Sequence, residues 1–143
     1  DVPDATNIVF REQKFALSCI KAELWTKYNF MSELVNEFNS YRSKMNDVIL
    51  AKQNKVIGRL FNLDTNTYAE GALSVKTKEM LGLVASMVLR CDDCIKYHLG
   101  KCHEEGVTTD EIYEIFAVAN IVGGTIVIPH TRRGAEYWEE LIR

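Results

Sequence analysis

Apolar residues recur at three- and four-residue intervals along most of this chain, which predicts helices almost throughout. Phe15 to Tyr28 carries a loose stripe of Phe15, Ile20, Leu24 and Tyr28. Ser32 is placed to cap a helix whose apolar face is Leu34, Val35, Phe38, Tyr41, Met45, Val48 and Ile49. Val56 to Phe61 predicts a short helical segment, and the polar run 62–67 predicts a loop. Ser74 is the expected cap of a helix from about Val75 to Leu89, rich in Leu, Met and Ala. A further helix follows and stops at Gly106, a natural residue just past a helix end. Thr108 with Glu111 three positions on forms a capping box for a helix from Thr109 to about Ile128. Pro129 is expected to stop that helix, and Arg132 to Leu141 predicts a last amphipathic one. No internal repeat or low-complexity tract interrupts the pattern. The fold class is all-α, one compact helical domain.

Length and composition narrow the function. A chain of 143 residues, 47% hydrophobic, can build one domain with a real core and is short for two. Two prolines and eight glycines leave little room for disorder. The formal charge is −3 and no basic cluster exceeds Arg132-Arg133, which argues against a nucleic-acid partner. The longest apolar run, Ile115 to Ile128, is broken by Asn120, Gly123 and Gly124 and is shorter than the ~20 residues a membrane span requires. It reads as a buried helix, and no membrane partner is expected. Charged residues interrupt every apolar stretch near the N-terminus, so no secretory leader is read there and a cytoplasmic location is expected. In that setting four cysteines point to chemistry rather than to a disulfide framework.

The chemistry concentrates in Cys91-Asp92-Asp93-Cys94-Ile95-Lys96-Tyr97-His98. Within a helix the steps 91→94 and 94→98 are i,i+3 and i,i+4, so both sulfurs and the imidazole share a face. A thiol attacks only as thiolate, and a neighbouring imidazole can take its proton. The second cysteine can then close a disulfide on what the first has formed. Glu79 joins this group only if the helix carrying it ends near Arg90, since an unbroken helix rising about 1.5 Å per residue would hold it roughly 18 Å from Cys91. The acidic pair Asp92-Asp93 suits the first turn of a new helix. The same two charges oppose thiolate formation, which the helix N-terminus and a protonated His98 favour.

Other readings bear on the same residues. Zinc is disfavoured, because Cys91 and His98 lie roughly 10 Å apart along one helix and cannot both reach one ion. Neither a metal nor a cofactor is expected. Cys102, one turn beyond His98, reads as a packed bystander, and Cys19 is assigned no role. His103 reads as a surface residue. His130 reads as a solvated loop residue that could alternatively reach a site across a subunit boundary. Gly123-Gly124 reads as a point of close helix packing.

Glu79, Cys91, Cys94 and His98 resemble, in order and spacing, the core motif of the alkylhydroperoxidase D-like branch of the carboxymuconolactone decarboxylase superfamily. The flanks 71–79 and 106–112 agree, as does the Gly123-Gly124 pair, and the resemblance runs from about Met45 to Ile142. Asp93 stands where the founding members carry a second histidine. The resemblance implies a thiol–disulfide redox enzyme acting on hydroperoxides or on a partner disulfide. Cys94 would take the oxygen, Cys91 would donate a proton and resolve the sulfenic acid, and His98 with Glu79 would relay protons. Position nearest the helix N-terminus would instead favour Cys91 as the attacking thiol. Reduction would come from an external dithiol or protein reductant.

The resemblance also implies a homo-trimer or homo-hexamer, and the strongly apolar helix 109–128 is the expected contact. Residues 31–143 form the family-like domain, with Met31 resembling the start of short members. Residues 1–30 are an extension of undecided status. Two rival classes are a lyase of the decarboxylase branch, which has no use for the paired cysteines, and a non-catalytic binding or metal-sensing module.

Overall fold

The computed structural model describes residues 33–143. The expected helix from Phe15 to Tyr28, the Ser32 cap, Cys19 and the extension 1–30 lie outside the described residues. Among the described residues the chain forms helices α1 (33–50), α2 (Lys55–Tyr68), α3 (Val75–Val88), α4 (Asp92–Glu104), α5 (Thr109–Gly123) and α6 (Ile128–Leu141), with a 3-10 turn at Thr125–Val127. The all-α expectation holds over this range.

The centre of the fold is α3 packed on α4 and α5, with α6 closing over α4. Leu83 and Met87 of α3, Ile95 and Leu99 of α4, Ile112 and Phe116 of α5, and Tyr137 and Trp138 of α6 are all buried. Phe38 of α1 joins them with its ring edge-on to Tyr137. Polar ties fix the register of these helices. Lys76 of α3 pairs with Glu111 of α5 at 3.0 Å, and the Trp138 indole N–H of α6 donates to Thr109 Oγ1. Ser74 caps α3 through the Thr77 N–H, and the Thr108–Glu111 capping box forms at the start of α5, both where the sequence places them.

Two segments differ from expectation. The polar run 62–67 is not a loop but the second half of α2. Its side chains satisfy the helix rather than compete with it. Thr65 Oγ1, Asn66 Nδ2 and Thr67 Oγ1 each donate to the carbonyl four residues back. This carries α2 on to Tyr68, which reaches the site described below.

The apolar helix after Thr109 does not run to Ile128 but ends at Gly123. Gly124 takes a positive φ of 77°, a conformation open to glycine and strained for other residues. Close packing accounts for Gly123 alone, where a Cβ would overlap the Val127 side chain. Pro129 therefore stops nothing. It sits in the first turn of α6, where its missing N–H has no partner to lose, and α6 begins at Ile128 rather than Arg132.

Candidate active site

The link between α3 and α4 is where the site is made. The Cys91 N–H donates to the Ser86 carbonyl and the Arg90 N–H to that of Met87, with Arg90 in the left-handed conformation (φ 61°). These two bonds close the end of α3 as a Schellman motif, with arginine where glycine is usual. The break expected between Leu89 and Asp93 is present, and α4 folds back along α3. Cys91 is then the N-cap of α4, with Asp92 and Asp93 in its first turn. The Cys94 N–H points to Cys91 Sγ at 3.3 Å, and the two cysteines form a disulfide.

The fold-back brings Glu79 to His98, with Oε2 and Nδ1 2.7 Å apart. Glu79 is 2% exposed and His98 7%, so neither carboxylate nor ring is solvated, and each depends on the other for a partner. An ionised carboxylate only accepts hydrogen bonds. Nδ1 therefore carries the shared proton, leaving Nε2 as the nitrogen that can exchange a proton with a thiol.

The His98 ring is held on several sides. Tyr68 and Tyr97 rings lie 5.3 and 5.2 Å from it, centroid to centroid. Gly82 of α3 gives it room, since a Cβ there would sit 2.6 Å from both His98 Cε1 and the Tyr68 hydroxyl. Burial, and then the charge of Glu79, push both tyrosine hydroxyls above their ordinary value, so they stay protonated at neutral pH.

A cavity of about 330 Å³ opens beside this group. Its walls are Cys94, His98, Tyr97 and Asp93 of α4, Asp64 of α2, and Phe38, Tyr41, Arg42 and Met45 of α1. The Arg42 guanidinium stacks 4.1 Å over the Tyr97 ring. Cys91 is not part of the wall. Of the two cysteines, Cys94 alone lines the cavity.

The other end of the CxxC turn is tied to α6. Asp92 Oδ1 lies 2.7 Å from His130 Nδ1, and Asp92 Oδ2 lies 3.0 Å from Arg133 Nε. His130 Nδ1 is shared between Asp92 Oδ1, to which it donates in the tautomer protonated there, and Arg133 Nη2 at 2.9 Å. Burial raises the Asp92 carboxyl, but the hydrogen bonds and charges of His130 and Arg133 outweigh it and hold the group below the ordinary carboxylate value. His130 is thus neither a loop residue nor freely solvated. It belongs to α6 and is half-buried.

The structure brings Glu79, Cys91, Cys94 and His98 together and leaves the remaining candidates apart. Cys102 is a free thiol, fully buried, and burial pushes it up to about 12. His103 is exposed, its ring edge-on to Trp138. Sequence reasoning missed Tyr68, Gly82, Arg42 and the Asp92–His130–Arg133 tie. Tyr68 was hidden by the loop assigned just before it. Gly82, at i+3 from Glu79 in an otherwise good helix, was a readable signal of close approach. Among the described residues no helix is long and apolar enough to cross a membrane.

Comparison with known proteins fits this geometry. A crystal structure of a Thermotoga maritima protein superposes with a TM-score of 0.73 at 50% identity, covering 74% of this chain and 93% of that one. A second Thermotoga maritima structure gives a TM-score of 0.72 at 49% identity over 74% and 90% of the two chains. It is described as a carboxymuconolactone decarboxylase family protein with a suggested involvement in antioxidative response. An apo Legionella pneumophila protein of that family, 20% identical with a TM-score of 0.59 over 82% and 98% of the chains, shares the fold. Protein 4 of the cox locus of Paracoccus denitrificans is 27% identical over 74 residues, 52% of this chain and 67% of that one. The profile of the carboxymuconolactone decarboxylase family matches residues 55–137, from the start of α2 to Tyr137 in α6, and the chain belongs to that family.

Proposed function

We propose that this protein is a thiol–disulfide redox enzyme that reduces a hydroperoxide, or a disulfide on a partner, through Cys91 and Cys94. The observation that carries the reading is that Cys94 and His98 share the wall of one cavity, while Cys91 is bonded to Cys94 outside that wall. In the reduced enzyme His98 takes the Cys94 proton, with Glu79 fixing the ring's tautomer. The Cys94 thiolate attacks the outer oxygen of the hydroperoxide. The O–O bond breaks, the alcohol leaves with a proton, and Cys94 becomes sulfenic acid. Cys91 then attacks the Cys94 sulfur, expelling water and forming the disulfide. An external dithiol restores the pair by two exchanges and is itself oxidised. This choice of Cys94 as attacking thiol agrees with the family resemblance rather than with the position of Cys91 at the helix start.

Dimedone trapping after one equivalent of cumene hydroperoxide tests the order of the cysteines. Cys91→Ser should accumulate a sulfenic acid adduct on Cys94, and Cys94→Ser should form none. An adduct on Cys91 alone would reverse the assignment, and unchanged thiol counts in the wild-type chain would end the redox reading. Self-assembly is proposed with it. Val118, Ile121 and Val122 of α5 face outward, 52%, 87% and 66% exposed, and form an apolar surface that a second copy of the chain would cover.

A further inference from the structure

The dithiol reading leaves one question of charge open. Asp92 directly follows Cys91, and a carboxylate beside a thiol disfavours the thiolate. An acidic residue in a first helical turn ordinarily faces its own helix's free N–H groups. Here both Asp92 oxygens are turned the other way, onto His130 and Arg133 of α6.

We propose that Arg133, with His130, is a positioning residue that compensates the Asp92 carboxylate and thereby lets the Cys91 thiol ionise at the N-terminus of α4. The inference rests on the dithiol reading above. Its chemistry is local and needs no new ligand. In the disulfide form Cys91 is the N-cap of α4, with the Cys94 N–H aimed at its sulfur, a placement taken to persist on reduction. That amide favours the thiolate. The opposing charge next door is compensated by a guanidinium on one oxygen and an imidazole N–H on the other.

Other charges nearby do not substitute for this pair. Arg90 and Asp93 of the same segment are both exposed. Arg132 of α6 lines a separate cavity beside α5, with Asn120 and Ile121. A tie that only held α6 against α4 would give the same distances, so the test must read ionisation rather than stability.

The experiment uses the full chain carrying Cys94→Ser, so that the titration at Cys91 belongs to one thiol. The rate of iodoacetamide alkylation at Cys91 is followed from pH 6 to 10 by peptide mass. Arg133→Met should raise the midpoint by at least half a unit, a threefold loss of thiolate below it. Asp92→Asn, which keeps the side chain's size, should lower the midpoint by a similar amount. Opposite signs are the signature of charge compensation. Two variants that fold as the parent does and leave the midpoint unmoved, or move it in the same direction, would overturn the proposal. The dithiol reading fails separately, if Cys91 and Cys94 of the unmutated chain do not interconvert in a dithiothreitol redox buffer.

Discussion

Replacing Gly82 by alanine sets two effects of known size against each other. Gly82 lies inside α3, where alanine is the better helix former by about 1 kcal/mol. The new methyl, however, would stand 2.6 Å from His98 Cε1, 2.9 Å from His98 Nδ1 and 2.6 Å from the Tyr68 hydroxyl. Ordinary carbon contacts begin near 3.5 Å, so the imidazole must retreat by roughly 0.9 Å. Forcing a methyl into a packed interior costs about 1–3 kcal/mol. The retreat also stretches the 2.7 Å bond to Glu79, and a buried group left without its partner costs a further ~1–3 kcal/mol. These two costs overlap, since a shift that relieves one worsens the other.

The steric effect wins, and the expected net loss is about 1–3 kcal/mol. Urea unfolding followed by tryptophan fluorescence measures it. Gly100→Ala is the control, because nothing lies within 4 Å of a Cβ there and the variant should gain about 0.5–1 kcal/mol. Peroxide turnover by Gly82→Ala should fall at least about tenfold as His98 loses its orientation. A Gly82→Ala protein that gains stability like the Gly100 control, with turnover intact, would refute the packing of His98 against α3.

Cys102, raised to about 12, has a thiolate fraction of roughly one in ten thousand at pH 8. Iodoacetamide should leave it unmodified until the chain unfolds, and labelling of the native protein at the rate of a free thiol would contradict its burial. Arg90→Gly relieves a left-handed conformation that costs a non-glycine residue about 1–2 kcal/mol, less the entropy glycine adds to the unfolded chain. A gain of about 0.5–1 kcal/mol in urea unfolding is expected, and a loss would mean that the arginine side chain contributes more than the strain removes. Lysine at Val118 and Ile121 together should reduce the mass found by light scattering to the 16.3 kDa of one chain. A wild-type protein already monomeric at micromolar concentration would remove α5 as an assembly surface.

How far the sequence could be read depended on whether the signal was local. Glu79 and the CxxC–His spacing forced a break near Arg90, because no continuous helix joins them, and the break is there. Caps at Ser74 and Thr108 are short-range hydrogen-bond patterns and were equally readable. Gly124 was not, since a glycine pair inside an apolar run fits close packing and helix termination alike. Only the positive φ separates the two. Residues 62–67 misled for a related reason. Asn and Thr favour loops when their side chains compete for the backbone, and here those side chains donate to carbonyls already in the helix. His130 and Asp92 are 38 residues apart, and no local pattern announces a hydrogen bond across that separation.

These differences divide the site into two parts. The group of Glu79 on α3, His98 and Cys94 on α4, and Cys91 as the N-cap of α4 lies wholly within the 55–137 segment that matches the family. Its geometry follows from one chain reversal and from the packing of α3 on α4, which buries Leu83, Met87, Ile95 and Leu99. The outer wall of the cavity is built differently. Phe38, Tyr41, Arg42 and Met45 come from α1, before that segment begins, and Tyr41 is 63% exposed. Phe38 is packed into the core and constrained by volume on every side, whereas Tyr41 stands exposed at the cavity's rim. A substitution at Tyr41 can therefore reshape the cavity without repacking α3 and α4, because the wall from α1 and the Glu79–His98 pair rest on different elements.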